Sequence, residues 1–448
     1  MRIRKLIAVM LALILVVGCL PACSDTSDDL SESQDVSSQG ESQLADQPEK
    51  KIRIYTARTE SDAAFKVWND IIEQYQQEVN PNFSVEFESV PNHDQYLNKL
   101  RLYITGDELP EIYQIDEGPI SQELSDSGKM VNIGEQLKKI GMYDQYNAGC
   151  LSYVTSPDGN LYMLPEARYG NVFYYWVDKF EEYGLEEPET FDEFMEICQK
   201  LKDAGETPIA VSGKASWNVL AFLYFKPWRT TFDGFISKVK TGEMKFADDP
   251  IGVEAANFLY ELGQKEYFPA GFSNIDFTDT VNNFLGGQSV MLYTYSSMMN
   301  QLAPDYEEGR IGYFLVPDVD GEENMSTSMP IHTGKAWAFN QDLFDEEMQR
   351  FFEFLITHYN DACYKYDIHS PLDQGIPEGK SALMTDLYED MTKQDKCWVA
   401  WDAKLDPATS VLMADLAIQL SLGMITPDEF MTEMDTSIAE NAPAYFGT

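Results

Sequence analysis

The chain has 448 residues, with 75 acidic against 32 basic side chains and a formal net charge of −43 at pH 7. A field of that sign disfavours nucleic acid and anionic lipid surfaces as partners. The length exceeds what one simple hydrophobic core supports and predicts two lobes behind a short leader.

The leader is Met1–Lys5, with three basic side chains, followed by an unbroken apolar stretch from Leu6 to Val17. So short a run has the layout of a secretory signal and not of a membrane span. It closes in VVGCLPAC, where a small residue before a cysteine resembles a bacterial lipobox. Cys19 fits that pattern best, because Pro21 sits awkwardly upstream of Cys23; Cys23 and an ordinary cleaved signal are the alternatives. Two acyl-type anchors on one cysteine would hold the protein at the membrane surface by lipid alone. Residues 1–18 are thus read as signal and 19–50 as a flexible tether. From Ser24 to Glu49 the tether is Ser, Asp, Gln and Glu with too little apolar surface to fold.

Folded sequence is expected from Lys51. KIRIYTA alternates as a strand, and Phe65, Trp68, Ile72, Tyr75 and Val79 recur at helical spacing up to Pro81. FSVEFESV alternates as a second strand. A helix around DQYLNKLRLYI stops at Gly106, and EIYQID reads as a buried third strand. This β-α-β-α-β order predicts a partly parallel sheet with helices on both faces. Ligands on such sheets sit beyond the carboxyl ends of the strands, which makes Arg58, Asp116 and Glu117 candidates. Further on, Thr190 with Glu193, and Thr426 with Glu429, form capping boxes that open two helices.

Between the two halves lies DGNLYMLPEARYGNVFYYWVDKF, with VFYYWV consistent with a strand buried on both faces. Phe173, Tyr174, Tyr175 and Trp176 are therefore read as core. Glu166, Arg168 and Tyr169 stand in front of that strand, where polar groups need solvent or a partner. Carboxylate and guanidinium groups bond strongly to adjacent hydroxyls, and a tyrosine offers a flat apolar face plus its own hydroxyl. Trp217 precedes an apolar run from a polar loop, as a stacking platform or as packing. Tyr293 and Tyr295 alternate on one strand. Trp398 and Trp401 are spaced i, i+3, the pattern of a helical core stripe.

The order of segments resembles the extracellular solute-binding proteins that supply sugars to ABC importers. The resemblance rests on YLNKLRLYITGDELPEIYQID, the central stretch from Asp158 to Val211, FLGGQSVMLYTYSSM, GYFLVPDVDGEE, GKAWAFN, MQRFFEFL and LSLGMITPDEFMTEMD, in that order. It implies an α/β, two-lobed periplasmic-binding-protein-like fold with a hinge and an interlobe ligand cleft. Lobe 1 would hold 51–165 with 331–360, and lobe 2 would hold 166–330 with 361–448. It places Glu166, Arg168 and Tyr169 at an interlobe crossing, Tyr295 near the family's stacking segment, and Trp398 and Trp401 in a region that lines the cleft in similar proteins. Tyr295-Ser296-Ser297 stands where Gly-Ser-Trp is usual, so a stacking tryptophan is absent there.

The implied function is that of a lipid-anchored monomer on the extracellular face of the bacterial cytoplasmic membrane. It would capture a carbohydrate, as an oligosaccharide, by lobe closure and deliver it to ABC permease subunits. No catalysis, cofactor or metal is expected. His93, His332, His358 and His369 are scattered, SKVK at 237–240 lacks the companion motifs of serine acyl enzymes, and DVDGEEN has its glycine at the wrong position for a calcium loop. The alternatives are a secreted glycan hydrolase, whose paired carboxylates could hide among 75 acids, and a ligand-sensing lobe of a membrane receptor. Four further cysteines, Cys150, Cys198, Cys363 and Cys397, are scattered; export permits disulfides among them without demanding any.

Overall fold

Ten short strands organise the described residues: β1 (Lys50–Thr56), β2 (Phe83–Ser89), β3 (Ile112–Ile115), β4 (Leu164–Pro165), β5 (Tyr169–Trp176), β6 (Ile209–Ala210), β7 (Met291–Tyr295), β8 (Ile311–Phe314), β9 (Ile331–His332) and β10 (Ala336–Phe339). They are seen in a computed structural model that describes residues 47–446 except 92, 117, 157, 322–328, 394–396 and 399. Glu117, Cys19, Cys23 and most of the predicted tether therefore lie outside the described residues.

The first sheet runs β2-β1-β3-β10-β4. β1 pairs in parallel with both β2 and β3, as the β-α-β order predicts, and β10 returns antiparallel between β3 and β4. The Ala63–Glu78 helix buries Phe65, Trp68, Ile72 and Tyr75, the stripe read from the sequence. Its Trp68 ring lies 4.2 Å from that of Trp337 on β10, which joins the helix to an inner strand of the sheet.

The second sheet runs β6-β7-β5-β8, with β9 also paired to β5. Side chains of β5 alternate between two packed layers. Phe173 joins Tyr293 and Phe314 in one, while Val172 and Tyr174 join Leu292 in the other. That double burial explains why VFYYWV carries no polar alternation. Helices cover this sheet, and both predicted capping boxes form. Glu193 N–H donates to Thr190 Oγ1 at 3.3 Å, and Glu429 N–H donates to Thr426 Oγ1 at the same distance.

The chain passes between sheets along neighbouring segments. It leaves the first between Pro165 and Tyr169 and returns between His332 and Ala336. Ala167 N–H donates to Thr333 O at 3.2 Å, and Arg168 N–H donates to His369 O at 2.9 Å, so a third segment near His369 runs alongside. The boundary expected at 360–361 falls inside the Glu346–Lys365 helix, and Cys363, Ile368 and Leu372 still pack in the first core. Near its end that helix touches both cores, Cys363 packing in the first and Tyr364 with Val172 and Tyr174 of the second sheet.

His369 makes this crossing sensitive to acid. It is fully buried, its Nε2 lies 2.9 Å from Met384 O, and its Nδ1 has no partner among the described residues. Burial, with Arg168 nearby, lowers its pKa from 6.5 to about 4, although the bond to Met384 opposes the shift. A depressed folded pKa means that the unfolded chain takes up the proton first. The contribution to stability is thus whole above about pH 6.5 and lost as pH falls towards 4. Urea titrations across that window should show a His369-dependent loss of up to about 3 kcal/mol. A His369→Gln variant should show a shallower pH slope, and an unchanged slope would contradict this account.

Candidate functional site

A cavity of about 270 Å³ lies where the carboxyl ends of the first sheet meet the crossing segments and the second sheet. Its volume is near the lower end of the roughly 300–1,000 Å³ typical of ligand pockets. Arg58 and Asp116, just past the ends of β1 and β3, contribute from the first lobe. Tyr169 and Asn171 come from β5, Tyr293 and Tyr295 from β7, and Trp217 and Tyr224 from the Ser216–Thr231 helix. His332, Gly334 and Lys335 enter along the returning segment, and Trp398 arrives from the C-terminal part.

Its walls are largely aromatic. Tyr295 is the hub: its ring centroid lies 5.4 Å from Trp217, 5.7 Å from Tyr169 and 5.8 Å from His332, all edge-on. Trp217 also rests on Phe277 at 5.0 Å. Opposite them, Trp398 packs 5.4 Å from Tyr224. Rings braced by other rings keep their faces in place, which suits them to an apolar ligand surface.

The charged groups are held in pairs. Arg58 grips the Glu166 carboxylate with two nitrogens, the Nε contact being 3.2 Å. Glu166 is fully buried and also accepts from Gln114 Nε2 at 2.6 Å and from the Tyr169 hydroxyl at 3.4 Å. Gln114 Oε1 in turn accepts from Thr56 Oγ1 at 2.7 Å, and that oxygen accepts from the Arg58 backbone N–H at 2.9 Å. Burial opposes the Arg58 charge, but Glu166 overcomes it and raises its pKa above the ordinary value. Lys335 Nζ meets Asp116 Oδ2 at 2.6 Å.

His332 supplies a neutral donor. Its Nδ1 accepts the Gly334 N–H at 3.1 Å, which leaves the proton on Nε2. Burial, aided by the Arg58 charge, lowers its pKa to about 4. Gly334 has φ +67°, and a Cβ there would come within 2.7 Å of the Tyr169 ring, so the close turn requires glycine. Asn171 Oδ1 and Trp398 Nε1 are buried without a hydrogen-bonding partner among the described residues. Buried polar atoms in that state call for a partner from outside the chain. Among the described residues no group of three or more His, Cys, Asp or Glu is arranged to hold a metal ion.

The structure thus brings Arg58, Asp116, Tyr169, Trp217, Tyr293, Tyr295 and Trp398 to one cavity. Glu166 stands behind Arg58 and orients it. Two candidates lie elsewhere. Arg168 is buried on the other side of the crossing, 2.8 Å from Asp373, with its guanidinium over the Tyr388 ring. An acidic partner in the third segment captures it there. Trp401 is fully buried against Phe235 and Tyr224. It also begins a helix, Trp401–Lys404, that excludes Trp398, so the two tryptophans share no helical stripe. Tyr153, Asn171, Tyr224, His332, Gly334 and Lys335 were not anticipated. Gly334 and Lys335 open the GKAWAFN motif and His332 lies two residues before it, so the crossing implied there was the available signal.

A cavity walled by two α/β lobes and by the segments at Tyr169 and His332–Lys335 that cross between them has the architecture of a solute-binding site. The chain belongs to the bacterial extracellular solute-binding protein family, whose model matches residues 59–359. It is 29% identical over 169 residues to a multiple sugar-binding protein of Streptococcus mutans, covering 38% of this chain and 37% of that one. It is 24% identical over 269 residues to the sn-glycerol-3-phosphate-binding periplasmic protein UgpB of Brucella abortus, covering 55% and 59%. The chain thus spans between about a third and three fifths of these curated relatives. A solved chitin oligosaccharide binding protein superposes with a TM-score of 0.77 at 20% identity, covering 88% of this chain and 99% of the other.

Proposed function

We propose that the protein binds a neutral carbohydrate between its lobes and presents it to an ABC importer, by reversible closure and without catalysis. The observation that carries this reading is the charge balance of an aromatic cavity. Both cations on its wall, Arg58 and Lys335, are paired with carboxylates, and His332 is kept neutral. A phosphate group would need a cation free to meet it, whereas hydroxyls are served by paired ions, the His332 N–H and the Asn171 carbonyl. This favours the sugar-binding relative over the glycerol-phosphate one as a guide. Tyr295, Trp217, Tyr169 and Trp398 would cover the apolar faces of the sugar, and Arg58, Asp116 and Asn171 its rim. Export by the leader, acylation at Cys19 and a monomeric state complete the proposal. The first two are supported by the leader sequence and by membership of an extracellular family.

Thermal unfolding against neutral mono- and oligosaccharides, with glycerol phosphate and sugar phosphates in parallel, tests it. A bound ligand at a hundredfold excess over Kd stabilises by about 2.7 kcal/mol. A neutral carbohydrate should raise Tm and remain chemically unchanged. A shift with phosphates alone, or consumption of the sugar, would overturn the proposal.

A further inference from the structure

We propose that Cys150 and Cys397 form a disulfide that fastens the two lobes together at the rim of the ligand cavity. The two thiols lie 247 residues apart in sequence but are neighbours across the cleft. Cys150 sits in the Ala148–Tyr153 helix, whose Leu151 belongs to the first core, as does the adjoining Val154. Cys397 packs with the second-lobe cluster, and the next residue, Trp398, donates its backbone N–H to Ile331 O on β9 at 2.8 Å.

The approach is tight because Gly149 permits it. A Cβ at Gly149 would stand 3.2 Å from Cys397 N and 3.4 Å from Cys397 Sγ. The neighbouring Cys150 thiol, together with burial, pushes the pKa of Cys397 up. Both thiols are free; Cys150 is buried and Cys397 largely so. Cys198 is buried in the second lobe's core and Cys363 in the first's.

The position gives the bond a consequence. Tyr153, three residues beyond Cys150, and Trp398, next to Cys397, both line the cavity. A covalent link between their neighbours would hold both walls in their present juxtaposition and oppose lobe opening. An exported protein meets conditions in which such bonds persist. The oxidant is an external disulfide, R–S–S–R. The Cys397 thiolate attacks one of its sulfurs and releases one R–S⁻. The Cys150 thiolate then attacks Cys397 Sγ and releases the second. Two protein thiols are oxidised, one external disulfide is reduced, and the two protons end on the two released thiols.

The test uses the full-length protein treated with oxidised glutathione and then digested without reduction. Peptide mass mapping should recover Cys150 linked to Cys397, with the intact mass lowered by two hydrogens. Tm should rise on oxidation in the wild type and not in Cys397→Ser. Ligand release by the oxidised form should slow by at least about tenfold, about 1.4 kcal/mol on the opening barrier, and recover on reduction. Recovery of both thiols in alkylatable form, or a link from Cys150 to Cys363, would overturn the proposal. The mapping needs no ligand, so its failure is distinct from a failure of the carbohydrate reading.

Discussion

Glu166→Ala is expected to destabilise the protein by about 3–5 kcal/mol in urea or thermal unfolding, because one side of a buried ion pair is removed and the other is left. Glu166 is buried beneath the cavity floor, and Arg58, Gln114 and Tyr169 all direct hydrogen bonds to it. Glu166→Gln separates charge from shape. It should keep most of the packing, yet it leaves the Arg58 guanidinium without its carboxylate beside the ligand. Affinity for neutral sugar should fall, and a phosphorylated or carboxylated analogue should bind better to this variant than to the wild type. If neither variant changed stability or ligand preference, the charge balance of the cavity would not be what selects the solute.

The second large effect separates two tryptophans three positions apart. Trp401 is fully enclosed by Phe235, Phe246 and Tyr224. Trp401→Ala should therefore lower stability by about 3–5 kcal/mol through the cavity it leaves, and affect binding only through folding. Trp398 is half-buried, faces the ligand cavity and rests on Tyr224. Trp398→Ala should leave the unfolding midpoint nearly unchanged and weaken ligand affinity by roughly tenfold or more, about 1.5 kcal/mol of lost aromatic burial. Calorimetric titration beside chemical denaturation reads both quantities. Equal effects on stability at both positions would refute the assignment.

These two residues also mark how far local pattern reaches. The i, i+3 spacing suggested one helix, but the helix begins only at Trp401, after Ala400 in extended conformation. Spacing describes which side chains would align if a helix formed, and here the helix starts only at the second of them. Glu166 and Arg168 show the same limit. Both were read as facing a ligand, and each is instead claimed by a charged partner distant in sequence, Arg58 and Asp373. His332, Gly334 and Lys335 were passed over because their role depends on the returning segment that brings them against Tyr169.

By itself the sequence determined the first three strands and the two helices between them, the double burial of β5, the two capping boxes and the family. Each of these is encoded in side-chain periodicity, in caps a few residues long, or in an ordered series of motifs. Only the tertiary structure decided which polar groups reach the cavity and which are neutralised beneath it. The Arg58–Glu166 and Lys335–Asp116 pairs span 108 and 219 residues. The strength of an ion pair depends on distance and burial in space, which no local pattern records.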